Sequence, residues 1–254
     1  MFYLVVAMRV LLTGVWIWDR RRFLDVLGVA RPLRQLHAGL MFVCGIALAP
    51  SLAWGQDTLF DGVLVLLAIQ FACLFVIVIN DLQKQPSGAA GSPVYPGRGM
   101  AIGFGAMALI YAAAVRYYAA FTILLCMGLY ILYAAPPWRI KRVPFMSKMP
   151  TALSSLACVV LGYAFAGEVV AAFPTVVILW FLIPFALACN VIDIKDYHVD
   201  KSAGIQTLPV FWGRKTSQWV IGLFFIVAYV TAPLAFARPR LLLPGIGVGI
   251  VQFF

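Results

Sequence analysis

Residues 173–200 read FPTVVILWFLIPFALACNVIDIKDYHVD, and this stretch decides what kind of protein the chain makes. From Phe173 to Ile192 no side chain is charged, and then Asp193, Lys195, Asp196 and Asp200 follow in quick succession. A bilayer core takes about 20 mostly apolar helical residues. The run therefore predicts a membrane span that ends in carboxylates. Pro174 and Pro184 do not exclude it, because neighbouring helices can satisfy the backbone groups that proline frees.

Working outward, comparable runs lie near 1–18, 37–55, 59–80, 99–115, 118–137, 149–167 and 217–236. A shorter stretch at 241–254 holds Pro244 and is expected to add no further helix. The short alternating segments of an outer-membrane barrel are absent from the sequence. Composition agrees: 64% of the 254 residues are apolar or aromatic and 11% are charged, with a mean hydropathy of +0.99. Soluble domains run roughly 45–50% apolar and about 25% charged. A water-soluble enzyme, a disordered chain and a nucleic-acid-binding domain are thereby excluded. The expected fold is all-α, a polytopic transmembrane helical bundle of about eight to nine helices. Residues 1–22 read as an amino-terminal transmembrane anchor, because Arg20, Arg21 and Arg22 follow the apolar run, the reverse of a secretory leader. Residues 23–254 form the bundle.

The net charge of +10 reports topology in such a protein. With the amino terminus outside, alternate loops collect 15 of the 19 Lys and Arg residues, among them Arg31, Lys84, Arg98, Arg139, Lys148 and Lys201. The opposite loops hold only Arg116, Arg238 and Arg240. The basic loops are expected to face the cytoplasm of a bacterial inner membrane. Two of them, 80–98 and 190–216, also hold most of the unusual polar residues, which places function on that face. The five cysteines stand singly in apolar runs with no metal-binding spacing, and read as buried thiols.

At 100° per residue, Asp193, Asp196 and Asp200 fall on one helix face. Like charges crowded at the edge of a low-dielectric core repel. Divalent cations relieve the repulsion, and ligands made only of oxygen favour Mg²⁺, which keeps several waters and bridges carboxylates to phosphates. Asn190, one turn earlier, adds a carbonyl ligand or a phosphate donor. Pairing of the acids with Lys195 and Lys201 is the plainer alternative. Asn80 and Asp81 end another span at the same depth, where a helix-stopping polar pair is equally reasonable. Arg139, Lys141 and Arg142 lie just past the membrane edge, placed either to anchor topology or to grip a diphosphate. His198 reads as a solvated loop side chain rather than a base.

The string Asp193-Ile-Lys-Asp196-Tyr-His-Val-Asp200-Lys-Ser-Ala-Gly204-Ile-Gln-Thr207-Leu-Pro209 resembles the second aspartate motif of the UbiA-type intramembrane prenyltransferases, approximately DxxDxxxD followed by G-x-x-T-L-P. Tyr133 to Arg142 resembles their Y-S-x-P-P-x-R-x-K-R segment, Arg31-Pro32 the approach to their first core helix, and Pro93 to Arg98 their R-P-x-x-x-G-R. The resemblance runs from about residue 30 to 236. It implies a helical bundle around a central cavity open to lipid, and transfer of a prenyl group from a polyprenyl diphosphate to an aromatic or lipid acceptor, with Mg²⁺ as cofactor. It makes Asp81, Asp193, Asp196 and Asp200 metal ligands, and Asp193, Asp196, Arg139 and Lys141 catalytic. Asn80, Lys84, Arg98, Tyr133, Arg142, Asn190 and Lys201 become diphosphate contacts.

The chain also departs from the pattern. The first motif normally reads NDxxDxxxD, whereas here Lys84 and Gly88 hold the later carboxylate positions and Ser92 replaces a common arginine. A terpene cyclase of the same superfamily and a non-catalytic binder of prenyl diphosphate or lipid are the alternatives. A transporter fits less well, since transport sites lie near mid-membrane.

Overall fold

The computed structural model describes residues 31–50, 55–82, 98–134, 140, 146–202, 204 and 206–253; the anchor expected at 1–22 lies outside them. Among the described residues every regular element is a helix. They are α1 (Pro32–Leu48), α2 (Gln56–Leu82), α3 (Arg98–Val115), α4 (Tyr117–Ala134), α5 (Met149–Phe165), α6 (Thr175–Trp180), α7 (Ala186–Ala188), α8 (Val191–Lys195), α9 (Tyr197–Ser202), α10 (Leu208–Trp212), α11 (Arg214–Ala235) and α12 (Leu242–Phe253). Five helical runs are long and apolar enough to cross a membrane, and three shorter apolar helices accompany them. The protein is an integral membrane protein.

The chain divides into two compact units, Met1–Phe42 with Leu52–Met127, and Val43–Ser51 with Gly128–Phe254. In the first, α2 and α3 pack as an antiparallel pair. Ala101, Gly105, Ala108 and Ala112 form the buried stripe of α3, whereas Met100, Ile102, Met107 and Ile110 face outward. In lipid no hydrophobic force drives helices together, so small residues go to the contact, where they let backbones approach, and large apolar ones go to the bilayer. At Gly105 a Cβ would stand 3.0 Å from the Met127 side chain and 3.2 Å from the Phe75 ring. Phe71 stacks on Tyr111 at 5.7 Å between ring centres.

In the second unit α11 is the hub, touching α6, α7, α8, α10 and α12. Trp180, Phe181, Phe185 and Phe236 form an aromatic knot with centroid separations of 4.9–6.4 Å, and Trp180 Nε1 donates to the Ala228 carbonyl at 3.1 Å. Pro184 lies in a five-residue π turn, Phe181–Phe185, between α6 and α7. A proline inside a helix displaces the backbone of the preceding turn, and the wider turn absorbs it. Gly213, at φ +83°, makes the sharp turn from α10 into α11.

The carboxyl end corrects an expectation. Residues 242–253 do form a helix, because Pro244 falls in its first turn, where backbone N–H groups have no intrahelical partner to lose. Pro233 withholds an N–H from the Tyr229 carbonyl one turn back in α11, and Gly245 of α12 packs against that same oxygen. A Cβ on Gly245 would sit 2.6 Å from it, whereas one on Gly247 would meet nothing within 4 Å. Gly245→Ala is therefore expected to cost about 1–3 kcal/mol by overpacking, with Gly247→Ala neutral. Melting temperatures in one detergent will separate them.

Candidate active site

The last span of the quoted stretch delivers its polar residues through a helix end. The side-chain amide of Asn190 donates to the Ala186 carbonyl at 3.2 Å and the Leu187 carbonyl at 3.0 Å. Both carbonyls belong to α7, and the Leu187 carbonyl also accepts the Asn190 backbone N–H at 3.2 Å. The two donations fix which way the amide points and leave Asn190 Oδ1 buried without a hydrogen-bond partner. The Asp193 N–H then bonds back to the Asn190 carbonyl at 3.0 Å, turning the chain into α8.

Asp193 points inward and is 4% exposed. Its partner is Lys148, 7% exposed, the last residue of a 3₁₀ turn, Met146–Lys148, that leads into α5. Lys148 Nζ donates to Asp193 Oδ1 at 2.5 Å, and Asp193 Oδ2 is left buried without a partner. Lysine and aspartate are almost never fully buried unless paired. This lysine was legible in the sequence only as a topology marker, since it stands at the foot of an apolar run like many juxtamembrane lysines.

The three acids are not equivalent, as one continuous helix face would have made them. The helix breaks at Asp196, between α8 and α9. Asp193 is buried, Asp196 exposed and Asp200 half-buried. They still feel one another: burial first, then the charges of Asp193 and Asp196, push the Asp200 carboxyl above the usual range, while Lys148 and the Thr207 hydroxyl act in the opposite sense. Among the described residues, no three His, Cys, Asp or Glu side chains are grouped closely enough to hold one ion by themselves. Among the buried side-chain oxygens without a partner, Asp193 Oδ2 and Asn190 Oδ1 are the carboxylate and amide oxygens, kinds that suit a hard cation.

In the other unit, Asn80 and Asp81 lie in the last turn of α2, both half-buried. Arg31 Nη2 donates to Asp81 Oδ1 at 2.7 Å. Arg31 stands in the left-handed region, φ +46°, a conformation that costs a non-glycine residue about 1–2 kcal/mol. It does so immediately before Pro32, whose fixed φ suits the first helical position of α1. The sequence offered Arg31 as a topology marker and as the approach to a helix; its pairing with Asp81 spans 50 residues and is a tertiary fact.

The remaining candidates are scattered. Arg98 is exposed at the start of α3. Tyr133 lies edge-on to Tyr130 at 6.1 Å. Lys201 is exposed, with its ammonium 5.7 Å from the centre of the Tyr197 ring, a cation–π placement. His198 is exposed beside the same ring. Lys84, Arg139, Lys141 and Arg142 lie outside the described residues.

A helical membrane bundle with a buried lysine–carboxylate pair and orphan acceptor oxygens at a helix end defines the class. The model of the UbiA prenyltransferase family matches residues 96–254. The chain belongs to that family, and is thereby an enzyme of the prenyltransferase class. It is 27% identical to a lycopene elongase/hydratase from Haloarcula japonica over 89% of this chain and 82% of that one. It is 28% identical to a digeranylgeranylglyceryl phosphate synthase from Thermococcus kodakarensis, over 87% of this chain and 78% of that one. Among solved structures, a UbiA homologue from Archaeoglobus fulgidus bound to GPP and Mg²⁺ shares the fold with a TM-score of 0.70 at 21% identity, covering 91% of this chain and 86% of that one.

Proposed function

We propose that the protein moves a prenyl group from a polyprenyl diphosphate to a lipid or aromatic acceptor, with the diphosphate held at the end of the Thr175–Lys195 run. The observation that carries this is the buried Lys148–Asp193 ion pair, which leaves Asp193 Oδ2 unpartnered, one turn from Asn190, whose Oδ1 is also buried without a partner. The names of the relatives support it: digeranylgeranylglyceryl phosphate synthases make a phosphorylated lipid, and the Archaeoglobus homologue takes GPP with Mg²⁺. Asp193, Asn190, Asp196 and Asp200 are the oxygen ligands this chain offers Mg²⁺, which when bound neutralises charge developing on the departing diphosphate. Lys148 adds a positive charge beside Asp193, where charge develops on the departing diphosphate. The apolar residues leading up to Asn190 keep water from the prenyl chain. The basic loops, with 15 of the 19 Lys and Arg residues, support a cytoplasmic site.

The test uses purified protein with labelled prenyl diphosphates of several lengths, with and without Mg²⁺ and acceptor. Mg²⁺-dependent transfer is expected, and its loss in the triple variant Asp193→Ala, Asp196→Ala, Asp200→Ala. Turnover untouched by the triple substitution overturns the reading. A second reading, a non-catalytic prenyl diphosphate binder, is favoured by the Arg31–Asp81 ion pair, which occupies the one carboxylate of the first motif. Diphosphate-dependent thermal stabilisation without turnover is its signature. Cyclic hydrocarbon formed without acceptor is that of a terpene cyclase.

A further inference from the structure

We propose that Lys148 acts as an internal counter-cation that makes divalent metal binding depend on the diphosphate: the metal is accepted together with the diphosphate and only weakly alone. The inference rests on the diphosphate reading of this site and adds a residue to it. Lys148 holds Asp193 Oδ1 in a buried ion pair, so one of the two carboxylate oxygens is already committed to a positive charge. Of that carboxylate only Oδ2 is left for an ion, besides the oxygens of Asn190, Asp196 and Asp200. The ammonium cancels one of the three carboxylate charges, so an incoming dication meets a less negative site than the acids alone would make, plus direct repulsion from Lys148. A diphosphate reverses this balance. It carries its own negative charge, which attracts both the dication and the ammonium, and lysine is a mobile point charge on a flexible stem, able to turn from Asp193 towards a phosphate oxygen.

The placement is built rather than incidental. Lys148 is fixed at the end of a 3₁₀ turn by Met149 and Pro150 of α5, and Ser147 beside it is buried as well. The carboxylate comes from the far end of a different span, 45 residues on. No exposed surface lysine of a topology-setting loop needs such an arrangement.

The test measures Mn²⁺ binding to purified protein by electron paramagnetic resonance, with and without inorganic pyrophosphate, so that no turnover is required. Lys148→Gln keeps a donor for Asp193 and removes the charge; Lys148→Arg keeps the charge. In pyrophosphate-free buffer Lys148→Gln is expected to bind Mn²⁺ at least about tenfold more tightly than wild type, the scale of one unit charge acting over a few ångströms in a partly screened site. Lys148→Arg is expected to bind it as weakly as wild type. In the wild-type protein pyrophosphate should raise Mn²⁺ affinity, a measurement that stands even where a variant fails to fold. Equal Mn²⁺ affinity in Lys148→Gln and wild type, or wild-type affinity indifferent to pyrophosphate, overturns the proposal. A purely structural lysine would lower the melting temperature of Lys148→Gln with no gain in metal affinity. Absence of prenyl transfer by wild type with the Mn²⁺ pattern intact would instead overturn the enzymatic reading and leave this one standing.

Discussion

Asp193→Ala is expected to lower stability by about 3–5 kcal/mol, the usual penalty when one partner of a buried ion pair is deleted, and to abolish prenyl transfer. The loss of stability does not come from the missing attraction alone. It comes mainly from Lys148, which is almost fully buried and would keep its charge with no carboxylate to face. The double variant Asp193→Ala, Lys148→Met is therefore expected to regain most of the lost stability, because apolar replacement of a buried pair is often neutral or better. It should remain inactive. Thermal unfolding in detergent and the transfer assay read the two effects separately. A single variant as stable as wild type would contradict the buried pair, and a double variant that still turned over would contradict the catalytic assignment.

The second large effect concerns packing within the unit that holds this pair. Gly45 of α1 lies directly against the backbone of α5. A Cβ there would overlap the Val159 carbonyl oxygen and stand 3.0 Å from Gly162 Cα. Backbone cannot move aside as the end of a flexible side chain can, so Gly45→Val is expected to cost about 3 kcal/mol or more, the upper part of the overpacking range. Gly128→Val, at a glycine with open space around it, serves as the control with little change. Because α5 begins next to Lys148, part of the Gly45→Val defect should appear as weakened diphosphate binding. A melting temperature equal to the control would show that the two backbones do not touch.

The membrane spans were legible in the sequence because lipid imposes a strong one-dimensional rule: long apolar runs, with charge only at their ends. The spans read at 59–80, 99–115, 149–167 and 217–236 match α2, α3, α5 and α11 closely for that reason. Where the rule weakens, so did the reading. Pro244 looked like a helix breaker until its place in the first turn of α12 made it harmless. Asp193, Asp196 and Asp200 looked like one helix face until the break at Asp196 separated a buried acid from an exposed one.

Composition and hydropathy determined by themselves that this is a helical membrane protein, and the aspartate-rich string, by its resemblance to the UbiA-type motif, implied the prenyltransferase class, since each depends on which residues occur and how close they lie along the chain. The choice of partners was decided only in three dimensions. Lys148 meets Asp193 across 45 residues, and Arg31 meets Asp81 across 50. Such pairs arise because a charge buried at a helix end must find its opposite on whichever other segment folding brings within reach, and no local spacing records which one that will be.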